Sequence, residues 1–326
     1  MEDGFKPKPW ARNSHLQTIF ASLGIRVAGK NPMVDCSEEM IIDGGNGVRL
    51  LGYHSVHPQE NGRGLILLIH GWEGSSDSTY ILSTGRYLYK KGYDIFRLNL
   101  RDHGNSHHLN EGLFHGALID ETFNAIRNIA HLSGGRPYCI VGFSLGGNFA
   151  LRAALKHSTS KIANLKRVIC ISPSLDPHKA TISIDESPFV YHYYFLKKWK
   201  RSLMKKQEIF PDKYNFDDAL GLKTCMEITD VVIPRYTQFC DHREYFDSYT
   251  LSGDIFKDLS VPVTVIASED DPVIPVDDLY SMRKNSSIQL LIQRYGGHCG
   301  FLDPFPFGCW YERKIYDILE SEKAVG

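Results

Sequence analysis

The chain has 326 residues, of which 42% are hydrophobic and 23% are charged, the composition of an ordinary globular protein. Its formal net charge of −1 supplies no basic surface for nucleic acid, and its seven cysteines form no C-x-x-C pair, so we expect neither a nucleic-acid partner nor a disulfide framework. The first residues carry no apolar signal-peptide core, and no segment reaches the roughly 18 consecutive apolar residues of a membrane helix. We therefore expect a cytoplasmic protein without an integral membrane segment.

The first elements along the chain are a hairpin followed by alternating strands and helices. Residues 39–43 and 48–56 flank the sequence Gly-Gly-Asn-Gly, which is typical of a hairpin turn. Apolar runs and helical periodicity then predict, in order, a strand at 64–70, a helix at 78–91, a strand at 93–100 and a helix at 116–132. This alternation predicts an α/β fold with a mostly parallel, twisted sheet and helices on both faces.

The next segment, residues 142–146, reads Gly-Phe-Ser-Leu-Gly and matches the pattern G-x-S-x-G. A predicted strand at 136–141 precedes it, and a predicted helix that continues to about residue 155 follows it. A serine on a sharp turn between a strand and a helix is a nucleophile elbow, whose glycines allow a strained backbone. The helix N-terminus also favours developing negative charge. The segment therefore predicts Ser144 as a nucleophile.

A second loop is a candidate for the oxyanion hole. The sequence His-Gly-Trp-Glu-Gly at 70–74 follows the strand at 64–70. Acyl transfer needs hydrogen-bond donors where the oxyanion forms, and these come from a backbone N–H in this loop and from the residue after the nucleophile. We therefore predict that the N–H groups of Trp72 and Leu145 form the oxyanion hole; the alternative is a plain tight turn.

The alternation of strands and helices stops after the predicted strand at 167–171. Residues 174–256 show no strand pattern and are rich in aromatic and basic residues, and the alternation resumes with the apolar segment 261–266. We therefore predict a core formed by residues 1–173 and 257–326, with a mostly helical cap or lid inserted at 174–256. An insertion at the carboxyl edge of a parallel sheet overlies the position where ligands bind.

Aromatic and basic residues alternate in the segment 191–201 of this insertion. We predict that Phe195 and Trp199 line the acyl side of the site, because apolar walls are typical of ligand pockets. The plainer alternative is a helix that covers the sheet edge and keeps its lysines in water. A third interpretation is a face that touches membrane headgroups, which leaves peripheral membrane contact open.

Two further strand ends supply an acid and a base. The apolar segment 261–266 indicates a buried strand that leads into an acidic run containing Asp271, and the segment 290–295 indicates a strand that leads through a Gly-Gly turn to His298. The order serine, acid, histidine along the chain is typical of one class of serine hydrolases. We therefore predict a catalytic triad of Ser144, Asp271 and His298.

Three motifs together identify a family resemblance. Residues 9–19 read P-W-A-R-N-S-H-L-Q-T-I, residues 142–148 read G-F-S-L-G-G-N, and residues 296–301 read G-G-H-C-G-F. With the His-Gly turn at 70 and the loop 101–106, they resemble the α/β-hydrolase superfamily, and more closely its YheT-like branch of EMB8-type and ABHD-type esterases. The resemblance implies an α/β-hydrolase fold and hydrolysis of short- to medium-chain acyl esters, including lipid-derived ones, without a cofactor.

The triad acid has two candidates, Asp270 and Asp271. In enzymes that this chain resembles, the acid precedes a proline in the pattern D-x-x-x-P. The sequence from Asp271 to Pro275 fits this spacing, whereas Asp270 would be one residue out of register. We therefore predict Asp271 as the acid and keep Asp270 as the alternative.

Two other functions use the same pattern. An acyltransferase would pass the acyl group from the same triad to an alcohol or thiol, and a binding protein could keep the fold without catalysis. The residues from His115 to Asp120 fit H-x-x-x-x-D, a pattern that is interpreted as an acyltransferase motif in animal relatives. A carboxylate in the first turn of a helix explains Asp120 more simply. The histidines at 103–108 lack the paired ligands of a metal site, and we expect this loop to be exposed and to bind no metal.

Overall fold

The structure is a computed structural model that describes residues 4–59, 62–187, 189–283 and 285–321. The two ends of the predicted core, residues 1–3 and 322–326, lie outside the described residues. Within the described residues, every helix is too short or too polar to cross a bilayer.

The described residues form one eight-stranded sheet with the order β1-β2-β4-β3-β5-β6-β7-β8. The strands are β1 (Ser37–Gly45), β2 (Val48–Ser55), β3 (Leu65–Ile69), β4 (Asp94–Leu98), β5 (Tyr138–Phe143), β6 (Leu165–Ile171), β7 (Val263–Ser268) and β8 (Ile288–Gln293). The hairpin β1–β2 and the pair β2–β4 are antiparallel, and the other neighbouring strands are parallel. The predicted α/β class with a mostly parallel sheet is confirmed.

Twelve α-helices lie in the described residues. They are α1 (Ser14–Ala21), α2 (Pro32–Asp35), α3 (Thr79–Lys90), α4 (Ile119–His131), α5 (Leu145–Thr159), α6 (Pro177–Glu186), α7 (Phe189–Ile209), α8 (Asp217–Leu220), α9 (Cys225–Tyr236), α10 (His242–Asp247), α11 (Asp277–Tyr280) and α12 (Trp310–Ser321).

The sheet separates two hydrophobic cores, one on each face. All five residues of β3 are buried, and successive side chains of a strand point to opposite faces. Leu65, Leu67 and Ile69 therefore pack with residues of α4 and α5, whereas Ile66 and Leu68 pack with residues of α3 and α12. Because β3 lies between β4 and β5 in the middle of the sheet, the loops that follow β3 and β5 are neighbours.

The helix predicted at 116–132 begins three residues later, at Ile119. Tertiary contacts use the backbone that would have formed its first turn. The Gly116 N–H donates to the hydroxyl of Tyr245 at 2.9 Å, and the Gly116 carbonyl accepts from Arg152 at 2.6 Å. These bonds connect the segment before α4 to α10 and α5, and they explain the shorter helix.

Helices α6 to α10 occupy the block between β6 and β7, and the described residues of this block contain no strand. Part of the block has its own small core, which includes Leu203, Phe216 and Ile228. Its later part joins the core of the sheet through residues such as Phe246 and Tyr249. The block is therefore anchored on the sheet through its C-terminal half, and its division from the core at 174–256 stays a prediction.

Candidate active site

Ser144 lies on the turn between β5 and α5 with a left-handed backbone, φ 52° and ψ −118°. A non-glycine residue in such a conformation costs of the order of 1–3 kcal/mol and persists only where its surroundings hold it. The Ser144 N–H donates to the carbonyl of Ile171 at 2.9 Å, and the Ser144 carbonyl accepts from the N–H groups of Gly147 and Asn148 at 2.9 and 3.1 Å. The strained serine is therefore fixed from both sides.

The glycines around Ser144 allow backbone segments to touch. A Cβ on Gly142 would lie 2.2 Å from the carbonyl oxygen of Gly146, and a Cβ on Gly146 would lie 2.4 Å from the carbonyl oxygen of His70. A Cβ on Gly71 would lie 3.0 Å from the Cβ of Ser144. The loop after β3 is therefore packed directly against the turn that carries the serine.

Asp271 and His298 form a close pair at the ends of β7 and β8. His298 Nδ1 lies 2.9 Å from Asp271 Oδ2, and Asp271 Oδ1 accepts from the N–H groups of Val273 and Ile274 at 2.8 and 2.9 Å. The side chain of Asp271 is 2% exposed and that of His298 is 11% exposed. Since Nδ1 faces the carboxylate, Nε2 is the nitrogen of His298 that remains available for proton transfer.

Asp270 has a different role from its neighbour. Its Oδ1 accepts from the N–H of Gly297 at 2.9 Å, and its Oδ2 is buried without a hydrogen-bond partner among the described residues. Burial raises the pKa of this carboxyl. Asp270 therefore supports the turn that presents His298, whereas Asp271 contacts the imidazole.

The pKa of His298 lies well above its ordinary value. Burial lowers the pKa of the imidazole, but the adjacent Asp271 carboxylate stabilises the protonated form and outweighs the effect of burial. The pair is thus arranged to stabilise an imidazolium, which is the charge that a general base acquires during acyl transfer.

The two predicted oxyanion donors are next to the nucleophile or to a residue that adjoins it: Leu145 follows Ser144, and Trp72 follows Gly71, where a Cβ would lie 3.0 Å from the Cβ of Ser144. Neither the Trp72 N–H nor the Leu145 N–H donates to an acceptor within the part of the chain that the structure describes. Leu145 is the first residue of α5, where the N–H groups of a helix lack internal partners. Both N–H groups are therefore available to bind a ligand oxygen.

Two buried histidines shape the Trp72 loop. His70 Nδ1 donates to the Gly71 carbonyl at 2.7 Å, and its Nε2 accepts from the N–H of Leu100 at 3.1 Å. His103 Nδ1 donates to the Arg101 carbonyl at 2.7 Å, and its Nε2 accepts from the N–H of Glu73 at 3.2 Å. Burial lowers the pKa of His103 to about 4, so this ring is neutral at pH 7.

The expectation that the loop around residues 103–108 is exposed holds for Gly104, Asn105 and His108 but is wrong for His103 and His107, which are buried. Lys206 of α7 covers these two histidines by forming an ion pair with the buried Asp102 at 2.8 Å. His107 Nε2 bonds to the hydroxyl of Ser202 at 2.9 Å. The described residues contain no group of histidine, cysteine and acidic side chains that could hold a metal ion.

A cavity of about 90 Å³ lies beside Ser144. Residues predicted from the sequence line it, namely Trp72, Leu145, Phe195 and Trp199, and so do Ile184 and Ile233 from α6 and α9. The Trp72 ring stacks on Phe195 at 5.7 Å and meets Trp199 edge-on at 5.2 Å between ring centroids. Helices of the 174–256 block thus form an apolar wall against the loop that carries Trp72.

His115 also lines this cavity, which the sequence did not indicate. Its Nδ1 is buried without a hydrogen-bond partner among the described residues, and its ring meets Phe239 edge-on at 5.6 Å. Asp120 instead pairs with Lys156 at 2.8 Å at the protein surface. The two residues of the H-x-x-x-x-D pattern are therefore not brought together, and of the two, His115 alone lines the cavity.

Comparison with known proteins identifies relatives and a shared fold. A family model described as alpha/beta hydrolase fold matches residues 64–207. The phospholipase ABHD3 of Bos taurus is 23% identical over 324 residues, which cover 96% of this chain and 75% of the relative. The putative esterase YheT of Escherichia coli is 21% identical over 97% of this chain and 93% of the relative.

A solved structure gives the same fold. The Pyrococcus furiosus esterase Pf2001 superposes with a TM-score of 0.57 at 16% identity, over 91% of this chain and 96% of that one. Its architecture and the relatives above confirm the resemblance drawn from the motifs. The chain therefore has the α/β-hydrolase fold, and the proteins it is similar to include an esterase named YheT and a phospholipase named ABHD3.

Proposed function

We propose that this protein is a serine carboxylester hydrolase that cleaves acyl esters through an acyl-enzyme. The observation that carries the proposal is the strained Ser144 beside a cavity, at the same sheet edge as the buried pair of Asp271 and His298. Relatives named as a phospholipase and an esterase support ester hydrolysis. Within the resemblance, the expected substrates are short- to medium-chain acyl esters.

In the proposed reaction, His298 Nε2 takes the proton of the Ser144 hydroxyl as the oxygen attacks the ester carbonyl. Asp271 stabilises the imidazolium, and the N–H groups of Trp72 and Leu145 bind the oxyanion. The intermediate collapses to an acyl-enzyme, and the alcohol leaves with the proton from His298. Water activated by His298 then releases the acid and restores Ser144.

We propose that residues 174–256 act as a cap that selects the acyl group. Phe195 and Trp199 of α7 contact Trp72, whose own N–H is a proposed oxyanion donor. The cavity volume of about 90 Å³ is smaller than the roughly 150 Å³ apolar cavity that accommodates benzene. A cavity of this size favours a short acyl group over a long chain.

A fluorophosphonate probe tests the proposal directly, because it labels an activated serine. We expect labelling at Ser144 and none in Ser144→Ala, together with hydrolysis of short p-nitrophenyl esters. Absence of labelling in a folded wild-type protein would favour a binding protein on a hydrolase fold. An acyltransferase would instead be revealed if an added alcohol or thiol captured the acyl group faster than water did.

A further inference from the structure

Helix α1 lies against the turn that carries His298. The Thr18 hydroxyl accepts a hydrogen bond from the backbone N–H of His298 at 2.9 Å and donates one to the carbonyl of Ser14 at 2.8 Å. One residue earlier, the fully buried Gln17 accepts from the N–H of Leu302 at 2.7 Å and donates to the carbonyl of Ala11 at 2.6 Å. Two adjacent side chains of α1 thus hold both ends of the turn.

The contact between α1 and the turn leaves no space between them. A Cβ on Gly297 would lie 2.4 Å from the Ser14 carbonyl oxygen and 2.6 Å from Thr18 Oγ1. A Cβ on Gly300 would lie 2.8 Å from the Gln17 carbonyl oxygen. The glycines on either side of His298 therefore allow the backbone of the turn to rest directly on the helix.

The turn itself needs this support. Cys299 and Phe301 have positive φ angles of 55° and 51°, which L-residues adopt at a cost and only where neighbouring structure holds them. The Asp271 contact fixes the ring of His298 but not its backbone. The hydrogen bond from the His298 N–H to the Thr18 hydroxyl fixes the backbone of the residue that carries the ring.

Helix α1 also contacts the helix that forms the cavity wall. The buried Tyr191 of α7 has its hydroxyl 3.1 Å from His15 Nδ1, and the same hydroxyl donates to the His15 carbonyl at 3.3 Å. Helix α1 therefore contacts both α7 and the His298 turn.

We propose that Thr18 is a positioning residue for His298, and that this is a purpose of the N-terminal motif that contains it. The inference rests on the proposed function, because Thr18 would position His298, the general base of that reaction. A catalytic group must be held within about 0.5 Å of its productive position, and a misplacement of about 1 Å can lower the rate about 100-fold. Loss of the Thr18 hydroxyl releases the backbone of His298 while leaving Ser144 and Asp271 unchanged.

The test compares Thr18→Val, which removes the hydroxyl at almost constant volume, with Thr18→Ser, which keeps it. We expect Thr18→Val to lose about 10- to 100-fold in kcat with KM within about two-fold, and Thr18→Ser to recover most of the activity. The acid limb of the pH profile should move to lower pH in Thr18→Val, because a displaced imidazole pairs less well with Asp271. A purely structural role would not move this limb.

Thr79→Val is the matched control. The Thr79 hydroxyl donates to the carbonyl of Ser22, the residue that caps the C-terminus of α1, at 3.0 Å. This bond is at the opposite end of α1 from Ser14. We expect its kcat and pH profile to match those of the wild type. If Thr18→Val does not fold, Thr18→Ala and Thr18→Ser form the deciding pair, since they differ only in the hydroxyl.

A folded Thr18→Val, or a Thr18→Ala equal to Thr18→Ser, with wild-type kcat and an unmoved acid limb overturns the inference. That outcome differs from a failure of the proposed function, in which the wild-type protein itself neither reacts with a fluorophosphonate nor hydrolyses esters. A reduced kcat with a shifted limb in Thr18→Val, recovered in Thr18→Ser, supports it.

Discussion

The turn around Ser144 and the wall of the cavity beside it are built in opposite ways. At the turn, backbone atoms approach so closely that Gly142 and Gly146 leave no room for a side chain, so backbone contacts within the turn and with the loop after β3 determine the geometry. The wall consists of side chains far apart in sequence, such as Phe195 of α7 and Tyr249 in the turn after α10. Ser144 is therefore held rigidly by backbone contacts, whereas the proposed selection of substrate depends on dispersed side-chain contacts that can change one at a time.

The largest effect should come from Ser144→Ala at the rigid turn. In well-studied triads, loss of the serine lowers kcat about 10⁶-fold, and we expect ester hydrolysis here to fall to background. The thermal midpoint should stay close to that of the wild type, because a small partly exposed hydroxyl is removed. Ester turnover and a circular dichroism melt measure the two effects, with Ser158→Ala at the other end of α5 as the control. Near-normal turnover would exclude Ser144 as the nucleophile.

The next largest effect should separate the two adjacent aspartates. Asp271→Asn should lower kcat about 10⁴-fold, because the acid sets the tautomer of the histidine and stabilises its cation. Asp270→Asn should cost no more than about ten-fold, the scale of one hydrogen bond, since its amide oxygen can still accept from Gly297. Steady-state kinetics of the two variants give the ranking, and the reverse ranking would assign the triad acid to Asp270.

The pH profile adds a second readout on Asp271. A general base must be neutral, so kcat/KM should rise with pH through the pKa of His298. Because that pKa is raised, the acid limb should lie above the ordinary histidine value of 6.5. Asp271→Asn removes the charge that raises it, so the limb of the residual activity should move to lower pH. A limb that stays in place would mean that another group controls it.

The sequence predicted those parts of the site that chemistry ties to a local pattern. The turn at Ser144 was recognisable because its glycines, flanking strand and following helix are contiguous. Sequence order and strand ends indicated an acidic run and His298, but the choice of Asp271 over Asp270 needed the spacing to Pro275 that the family resemblance supplied.

The sequence could not predict contacts that form between distant segments. Thr18 and His298 are 280 residues apart, and no periodicity in either segment connects them. The burial of His103 and His107 was missed for the same reason, since Lys206 of α7 covers their loop from about a hundred residues further along the chain. Helix α4 was predicted too long because Gly116 forms hydrogen bonds with Tyr245 of α10 and Arg152 of α5 instead of a first helical turn.

A smaller effect should follow from opening the cavity wall. Phe195→Ala removes the ring that stacks on Trp72, so longer acyl chains gain space. We expect the preference for octanoyl over butyryl p-nitrophenyl esters to rise about ten-fold, the scale of a few methylene contacts, while a fluorophosphonate still labels Ser144. Tyr193→Ala is the control, because this residue is on the same helix but is 49% exposed. An unchanged preference in a folded Phe195→Ala would contradict the role of α7 as a selective wall.

The smallest effect should come from His115, a polar group in an otherwise apolar part of the wall. Burial lowers its pKa to about 4, so the ring stays neutral above pH 5, and its Nδ1 has no hydrogen-bond partner among the described residues. His115→Phe keeps the aromatic contact with Phe239 and removes both nitrogens.

A pair of substrates of equal length isolates this nitrogen. The p-nitrophenyl esters of butyric and methoxyacetic acid differ by one ether oxygen, which can accept a hydrogen bond from His115. The ratio of kcat/KM for the methoxyacetyl ester over the butyryl ester should fall about two- to ten-fold in His115→Phe, the scale of one hydrogen bond, equally at pH 6 and pH 8. Because the wild type and the variant are compared as a ratio, the intrinsic reactivity of the two esters cancels. An equal ratio in both proteins would mean that substrates do not reach His115, and that the selective part of the wall ends at Phe195 and Trp199.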